Sequence, residues 1–509
     1  MADIYYLSVK DDVPASGYWD QTFIKDLVRD FPETDRKIVC IPGAYQWDVV
    51  DKINEELAKF PKVLVFVTSD EECKFPVGKL SHPDMIVYSQ YGNEGIAFPI
   101  GYAPGTRETI REFGMQKKRD ISFSFAGQVT HYRREMMVKI AENIGGGMLY
   151  KTDGFGKGMA QNVYVETLLR SKAVLCPPGP ISQDSFRLYE ALEAGCVPIV
   201  DDVSPIKPSN YRYISNMFRD APFPIFTDFV ELPHLIEQAT DGSIPNRYVF
   251  AWWINLKYRL QTVLKKNLGI PLDDTTVVVP VSPIPSHPST KIIDETIASI
   301  RHHTDATILV TIDGVRKEQE EMREQYEKFI DNFLWKCNFE YKNVLPVIFP
   351  KHFHQSGMMR YVLPAIHSKF ILYVEQDTPL VTDMPIEWDK LKEKISSGYA
   401  NLIRFHFEAF IPECHKHLMI GEPEDGLQAT RQWSQRPHLT TVKFYKDVMN
   451  LFTGNTNCFI EDFVHGKLQE TKHWDKWRVY IYHPEGSIKR SYHTDGRAGT
   501  QKFDDRQIW

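Results

Sequence analysis

Over the first 260 residues, short runs of β-branched and apolar residues alternate with segments whose apolar positions recur at helical spacing, the pattern of parallel-sheet α/β units. Strands are expected at Ile4–Val9, Lys37–Ile41, Val63–Thr68, Met85–Tyr88, Ile121–Ala126, Ala173–Cys176 and Val197–Val200. A turn-rich break at Gly101-Tyr-Ala-Pro-Gly105, with the strand pattern restarting at Ile121, divides this part into two Rossmann-like halves, 1–115 and 116–265. Residues 250–268 keep helical spacing up to Gly269, and 266–274, with Pro271-Leu-Asp-Asp, reads as a linker. A third unit, 275–509, opens with the strand Thr275–Val281, a Pro/Ser-rich loop and a helix near Thr290–His302. A second strand, Ala306–Ile312, then closes on Asp313-Gly314. The fold class is α/β throughout.

Length agrees with this division, because 509 residues exceed what one hydrophobic core organises. No apolar run approaches the ~18 residues of a membrane span. The opening Met1-Ala-Asp-Ile-Tyr-Tyr shows neither the basic nor the apolar segment of a secretory signal. Seven scattered cysteines without a Cys-x-x-Cys pair suit a reducing compartment, so the expectation is a soluble, cytoplasmic protein. A net charge of −7 argues against a general nucleic-acid binder. Aromatic content of 13% is on the rich side, as stacking on sugar rings requires, although core packing uses most such residues.

The middle unit carries the densest pattern. Phe123-Ser-Phe-Ala-Gly127 ends a strand, and Arg133-Arg134 follow in a helical stretch. Cys176-Pro-Pro-Gly-Pro leads to Ser185-Phe-Arg187-Leu-Tyr-Glu190-Ala-Leu-Glu193-Ala-Gly195-Cys-Val-Pro, a strand, a Pro/Gly loop, a helix starting near Ser185 and a glycine stop. A helix N-terminus offers free N–H groups to a diphosphate, Arg187 adds a bidentate donor, and Glu190 on the same helix face is placed to accept from ribose hydroxyls. This segment resembles the exostosin family of glycosyltransferases, whose donor half carries a Pro-Gly loop and then Ser-x-Arg-x-x-Glu-Ala-Leu-x-x-Gly-Cys-x-Pro. The resemblance covers about 120–205. It implies a GT-B fold with Ser185, Arg187 and Glu190 at the nucleotide, and an upstream arginine that is either Arg133 or Arg134. From the acceptor half, Asp70, in Asp70-Glu71-Glu72 after the strand Val63–Thr68, is the candidate base. No metal is expected for this module.

In the last unit, Phe370-Ile-Leu-Tyr-Val-Glu375-Gln-Asp377 ends an apolar strand in two acids at i and i+2, which share a face and suit a divalent cation that clamps a diphosphate. Glu461-Asp462 sit between apolar residues, and an inverting transfer needs such a carboxylate to take the acceptor hydroxyl proton, with Asp462 first and Glu461 second. Downstream, His493 is placed to complete the metal shell and Arg497 to neutralise the leaving diphosphate. The order Asp313, Glu375-x-Asp377, Glu461-Asp462, His493 resembles GT-A glycosyltransferases of the family-2 type. That resemblance implies a nucleoside contact at Asp313 and a Mn²⁺ or Mg²⁺ bound by Asp377, with Glu375 departing from the usual first Asp.

Together these readings describe a bifunctional hexosyl- or pentosyltransferase, microbial or viral, that moves sugars from nucleotide-sugar donors, UDP-sugars foremost, to a glycan acceptor with inversion. One rival transfers sugar to hydroxymethylated DNA bases. In another, one module is inactive and serves as a glycan-binding scaffold.

Overall fold

The protein was analysed as a computed structural model that describes residues 3–115, 118–154, 157–206, 212–452 and 457–494. It divides into two compact units, Met1–Leu272 and Asp273–Trp509.

The first unit holds two five-stranded parallel sheets. One runs in sequence order through β1 (Ile4–Tyr6), β2 (Arg36–Pro42), β3 (Lys62–Thr68), β4 (Met85–Ser89) and β5 (Ile96–Ala97). Consecutive residues of β2 and β3, Ile38 to Ile41 and Val63 to Val67, are all buried, so both faces of the sheet are covered and the runs read as continuous rather than alternating. β1 stops short of Val9 because the Ser8 hydroxyl and the Val9 N–H both donate to Gln46 Oε1, which turns the chain out of the ladder. The other sheet has the order β10-β9-β8-β6-β7, from β6 (Ile121–Gln128), β7 (Met148–Thr152), β8 (Ser171–Cys176), β9 (Val197–Asp201) and β10 (Ile225–Phe226). The helix Asn246–Leu268 seals this unit, stacking buried Trp253 on Phe23 with centroids 5.6 Å apart. It runs into the stretch expected as a linker and ends only at Gly269.

Beneath that helix the Glu193 carboxylate is fully buried. It accepts from Trp253 Nε1 at 2.6 Å and Lys257 Nζ at 2.7 Å and pairs with Arg107. Burial alone would raise its pKa, but Arg107 and Lys257 outweigh burial and hold it at about 2.

The second unit is built on a nine-stranded mixed sheet, ordered β13-β12-β11-β14-β18-β15-β19-β17-β16. Its parallel part comprises β11 (Thr275–Val281), β12 (Thr307–Ile312), β13 (Val344–Ile348) and β14 (Phe370–Tyr373). Beyond it lie β15 (Leu402–Arg404), β16 (Met419–Glu424), β17 (Leu427–Thr430), β18 (His438–Thr441) and β19 (Val479–Tyr482), with β18 antiparallel to β14 and to β15. The α/β class with Rossmann-like parallel sheets is thus what the chain adopts. Among the described residues no helix is long and apolar enough to cross a membrane.

Candidate functional site

In open α/β sheets ligands collect at the carboxyl ends of parallel strands, and in each unit some of the predicted residues gather there.

In the second unit the ends of β11, β12 and β14 enclose a cavity of about 300 Å³ whose lining includes Ser282, Asp313, Arg316, His354, Gln355, Glu375, Asp377, Phe459 and His493. Asp313 is buried, and its carboxylate accepts from the N–H groups of Gly314, Phe353 and His354 at 2.7–3.0 Å, with His352 Nδ1 at 2.8 Å. Burial raises its pKa, against the pull of those donors and of His352. Gly314 makes this possible, since a Cβ there would lie 2.2 Å from the Lys351 carbonyl carbon. Asp313 therefore locks the 351–354 loop to the site floor.

Asp377 Oδ2 lies 3.2 Å from His493 Nε2, so two predicted metal ligands meet, 116 residues apart in sequence. Glu375 accepts from Gln355 Nε2 at 2.6 Å. Burial, then Asp377, then Glu461 push its carboxyl up to about 8. Among the described residues neither Glu375 nor Glu461 forms an ion pair, and no group of three His, Cys, Asp or Glu converges on one cation position. A divalent cation at Asp377 and His493 would have to take its remaining ligands from outside the chain's described residues, such as phosphate oxygens.

Gln355 escaped the sequence reading. Its Nε2 holds Glu375 and its Oε1 accepts from the N–H of Ile460, which opens the helix Ile460–Glu470 carrying Glu461 and Asp462. Glu461 Oε2 accepts from Gln435 N at 2.9 Å, whereas Asp462 is exposed and its charge reaches His354. Neither acid lines the cavity itself. Arg497 lies outside the described residues.

In the first unit the ends of β6 and β8 carry the second cluster. Ser185 sits at the N-cap of the helix Phe186–Glu193 in extended conformation, and its hydroxyl makes no capping bond. Arg187 donates to the Ala126 carbonyl through Nε and Nη2 at 3.2 and 2.8 Å and lies over the Phe125 ring at 4.8 Å. Gly127, at φ 156°, leaves room for the guanidinium, since a Cβ there would lie 2.3 Å from Arg187 Nη2 and push it aside. Arg134 donates to the carbonyls of Pro178 and Gln128 at 2.9 and 3.0 Å. Burial and then Arg187 lower its pKa to about 10. Neither Arg134 nor Arg187 forms an ion pair among the described residues. Beside them burial and Arg134 lower His131 to about 4, which keeps it neutral.

Three first-unit residues take other roles than expected. Arg133 is held by a bidentate pair with buried Asp201 at 2.7 and 2.8 Å, so of the two neighbouring arginines only Arg134 faces Arg187. Glu190 is buried, and its oxygens accept from Tyr164 OH at 2.7 Å, Thr106 Oγ1 and Ala103 N, which leaves it holding elements together rather than open to a ribose. Asp70 accepts from Lys74 N, Phe75 N and Asn93 Nδ2, and so ties its own loop. The neighbouring Glu71 is the acid that reaches the Pro-Gly loop, where a Cβ on Gly179 would lie 2.5 Å from its Oε1, and burial raises its pKa against the pull of the Ile181 and Ser182 backbone and of Arg134.

Residues 154–268 match the family model described as the RXYLT1 C-terminal domain, a span that takes in Ser185, Arg187 and Glu190. No curated protein matches the chain. Among solved structures, Staphylococcus aureus TarS 1–349 aligns at 12% identity and TM-score 0.28, covering 43% of this chain and 60% of that one, less than two thirds of its length. The same fragment in complex with UDP-GlcNAc gives 12% and 0.27, covering 43% and 57%. A UDP-glucose pyrophosphorylase complexed with UDP-glucose gives 10% and 0.28, covering 44% and 94%. Overlays this loose carry no reading of either site. The family match over the helix that presents Arg187 supports a glycosyltransferase.

Proposed function

We propose that the chain is a bifunctional glycosyltransferase, with a metal-independent GT-B site in the first unit and a metal-dependent GT-A site in the second, each using a nucleotide-sugar donor and a glycan acceptor. The observation that carries this reading is the pairing of Arg134 and Arg187, buried or half-buried, bonded only to carbonyls, and set beside the N-terminus of the helix Phe186–Glu193. Guanidinium groups not tied up in an ion pair, at a helix N-terminus, are a receptor for a diphosphate. In the first unit Arg187, Arg134 and the Ser185 end of the helix bind and orient the donor, and they stabilise the charge that grows on the diphosphate as the sugar leaves. Glu71, close to Arg134, takes the acceptor-side role first assigned to Asp70.

In the second unit Asp377 and His493, with Glu375 beside them, would hold Mn²⁺ or Mg²⁺, which neutralises the leaving diphosphate when bound. Gln355 fixes Glu375 relative to the helix that carries Asp462. Asp462, with its exposed carboxylate, takes the acceptor hydroxyl proton as attack comes from the face opposite the leaving group, which inverts the anomeric centre. The donor is a UDP-sugar and Arg497 a further diphosphate contact in this reading. Incubation of the full chain with a panel of labelled nucleotide sugars and neutral oligosaccharides, with Mn²⁺ or EDTA, tests it. Two separable transfers are expected, and NMR of each product reports the anomer.

A second reading, in which the second unit binds glycan or nucleotide without transferring sugar, draws on the lack of three converging metal donors among the described residues. Donor binding by the second unit with no turnover at saturating Mn²⁺ would decide for it.

A further inference from the structure

The loops that leave β1 and β2 present aromatic rings to solvent on backbone that is pinned from below. Trp19 opens the short helix Trp19–Gln21 and is 49% exposed, yet the next two residues are buried. The Asp20 carboxylate accepts from Ser69 N at 2.6 Å, Ser69 Oγ at 2.9 Å and Tyr91 OH at 2.9 Å. Gln21 Nε2 donates to Ala15 O and Thr68 Oγ1. After β2 the pattern repeats with Tyr45 and Trp47, 72% and 53% exposed, on either side of wholly buried Gln46. Gln46 accepts from Val9 N and Ser8 Oγ and donates to Pro42 O at 2.7 Å. Tyr45 itself has φ 63°, a left-handed conformation that a bulky residue adopts only when its surroundings impose it.

Three large rings are held out of the core by buried polar pins, exposed apolar area that packing does not explain, and Tyr45 lies within electrostatic reach of Tyr18, the neighbour of Trp19. Their rim is polar and carries both charges. Asp48, next to Trp47, pairs with Lys10, and Lys74, close to Tyr45, pairs with Glu72. Rigid amphipathic rings among side chains that donate and accept suit a ligand with an apolar face and a hydroxylated edge, which describes a pyranose. Continuity with the donor cluster narrows this further. The Trp19 ring lies 6.0 Å from Phe186, edge to face, and Phe186 stands between Ser185 and Arg187.

We infer that Trp19, Tyr45 and Trp47 form the acceptor subsite of the first unit, with an uncharged pyranose of the glycan stacked on Trp19 next to the donor helix. This rests on the glycosyltransferase reading for its role but not for its sugar chemistry, and the two are separable by experiment. Xylotetraose, cellotetraose and chitotetraose are titrated calorimetrically into the full chain, and UDP in a parallel titration. At least one tetrasaccharide binds the wild type, Trp19→Ala weakens it by about tenfold or more, and Trp19→Phe restores most of the loss. UDP binding by Trp19→Ala reports that the donor half is still folded. If that variant loses UDP as well, the exposed pair Tyr45→Ala/Trp47→Ala decides by the same tenfold criterion. Failure of all three tetrasaccharides to bind a wild type that binds UDP overturns the subsite, as does binding indifferent to Trp19→Ala and to the double variant. Tetrasaccharide binding that depends on Trp19 in a protein that does not bind UDP keeps the sugar platform and overturns the transferase reading.

Discussion

The two sites have opposite electrostatics. The first unit sets two arginines by its strand ends without a carboxylate paired to them, and the second sets Glu375 and Asp377 after β14, with Glu461 on a nearby helix, without a paired arginine. The contrast is not one of composition, because the first unit pairs Arg107 and Lys257 with Glu193 and Arg133 with Asp201, while Arg119 spends its donors on the carbonyls of Ser171 and Ala194. Leaving a cation or an anion buried and unpaired costs stability, and in the proposed reading a ligand of the other sign completes the charge at each site. In the proposed reading an anion completes the first site directly, and the second needs a cation first.

The largest effects should fall on the groups at the centre of each site, Arg187 in the first and Asp377 in the second. Arg187→Ala is expected to lower transfer by the first unit by about 10³-fold and to leave the second unchanged, with Asp377→Ala doing the reverse, as measured by product formation from labelled donors. Loss of both activities in either variant would merge the two sites into one. Chelation should act like Asp377→Ala: EDTA removes the second activity, Mn²⁺ restores it, and the first continues.

On the paired side of the comparison, Glu193→Gln strands Arg107 and Lys257 in the core and should cost about 3–5 kcal/mol at neutral pH, read from urea unfolding. The pH dependence has a definite sign. Glu193 is held at about 2 in the fold against roughly 4.3 unfolded, so its contribution is complete above that range and is lost as the pH falls towards 2. The stability gap between wild type and variant should close over that window and stay open from pH 5 to 8. The smallest effect belongs to Asp70→Asn, which disturbs N–H donors of one loop. A loss of about 1–3 kcal/mol is expected with turnover unchanged, and a fall in turnover without a loss of stability would restore Asp70 as the base.

How far each site was legible follows the same division. The central parallel strands were readable because both faces are buried and the runs are continuous, as in Val63 to Val67 and Val277 to Val281, whereas the parallel strands β5, β7, β10 and β13 went unread, β7 being mostly exposed and β5 and β10 only two residues long. β15 to β19 were not, because they are three to six residues long and several face polar partners, such as Arg404 opposite His438. The segment from Ser185 to Gly195 announced itself through a cap, a helix and a glycine stop. Arg133 and Arg134, and likewise Asp70 and Glu71, could not be told apart as adjacent residues, since their roles depend on partners as distant as Asp201 and Ile181. Gln355 gave no signal at all. Its function comes from meeting Glu375 and Ile460, 20 and 105 residues away.

The most direct test counts bound nucleotide. Titration of UDP into the full chain by calorimetry should give one site in EDTA, lost in Arg187→Ala, and a second site on addition of Mn²⁺, lost in Asp377→Ala. Two sites in EDTA, or a first site that survives Arg187→Ala, would contradict the opposition of charge on which the account rests.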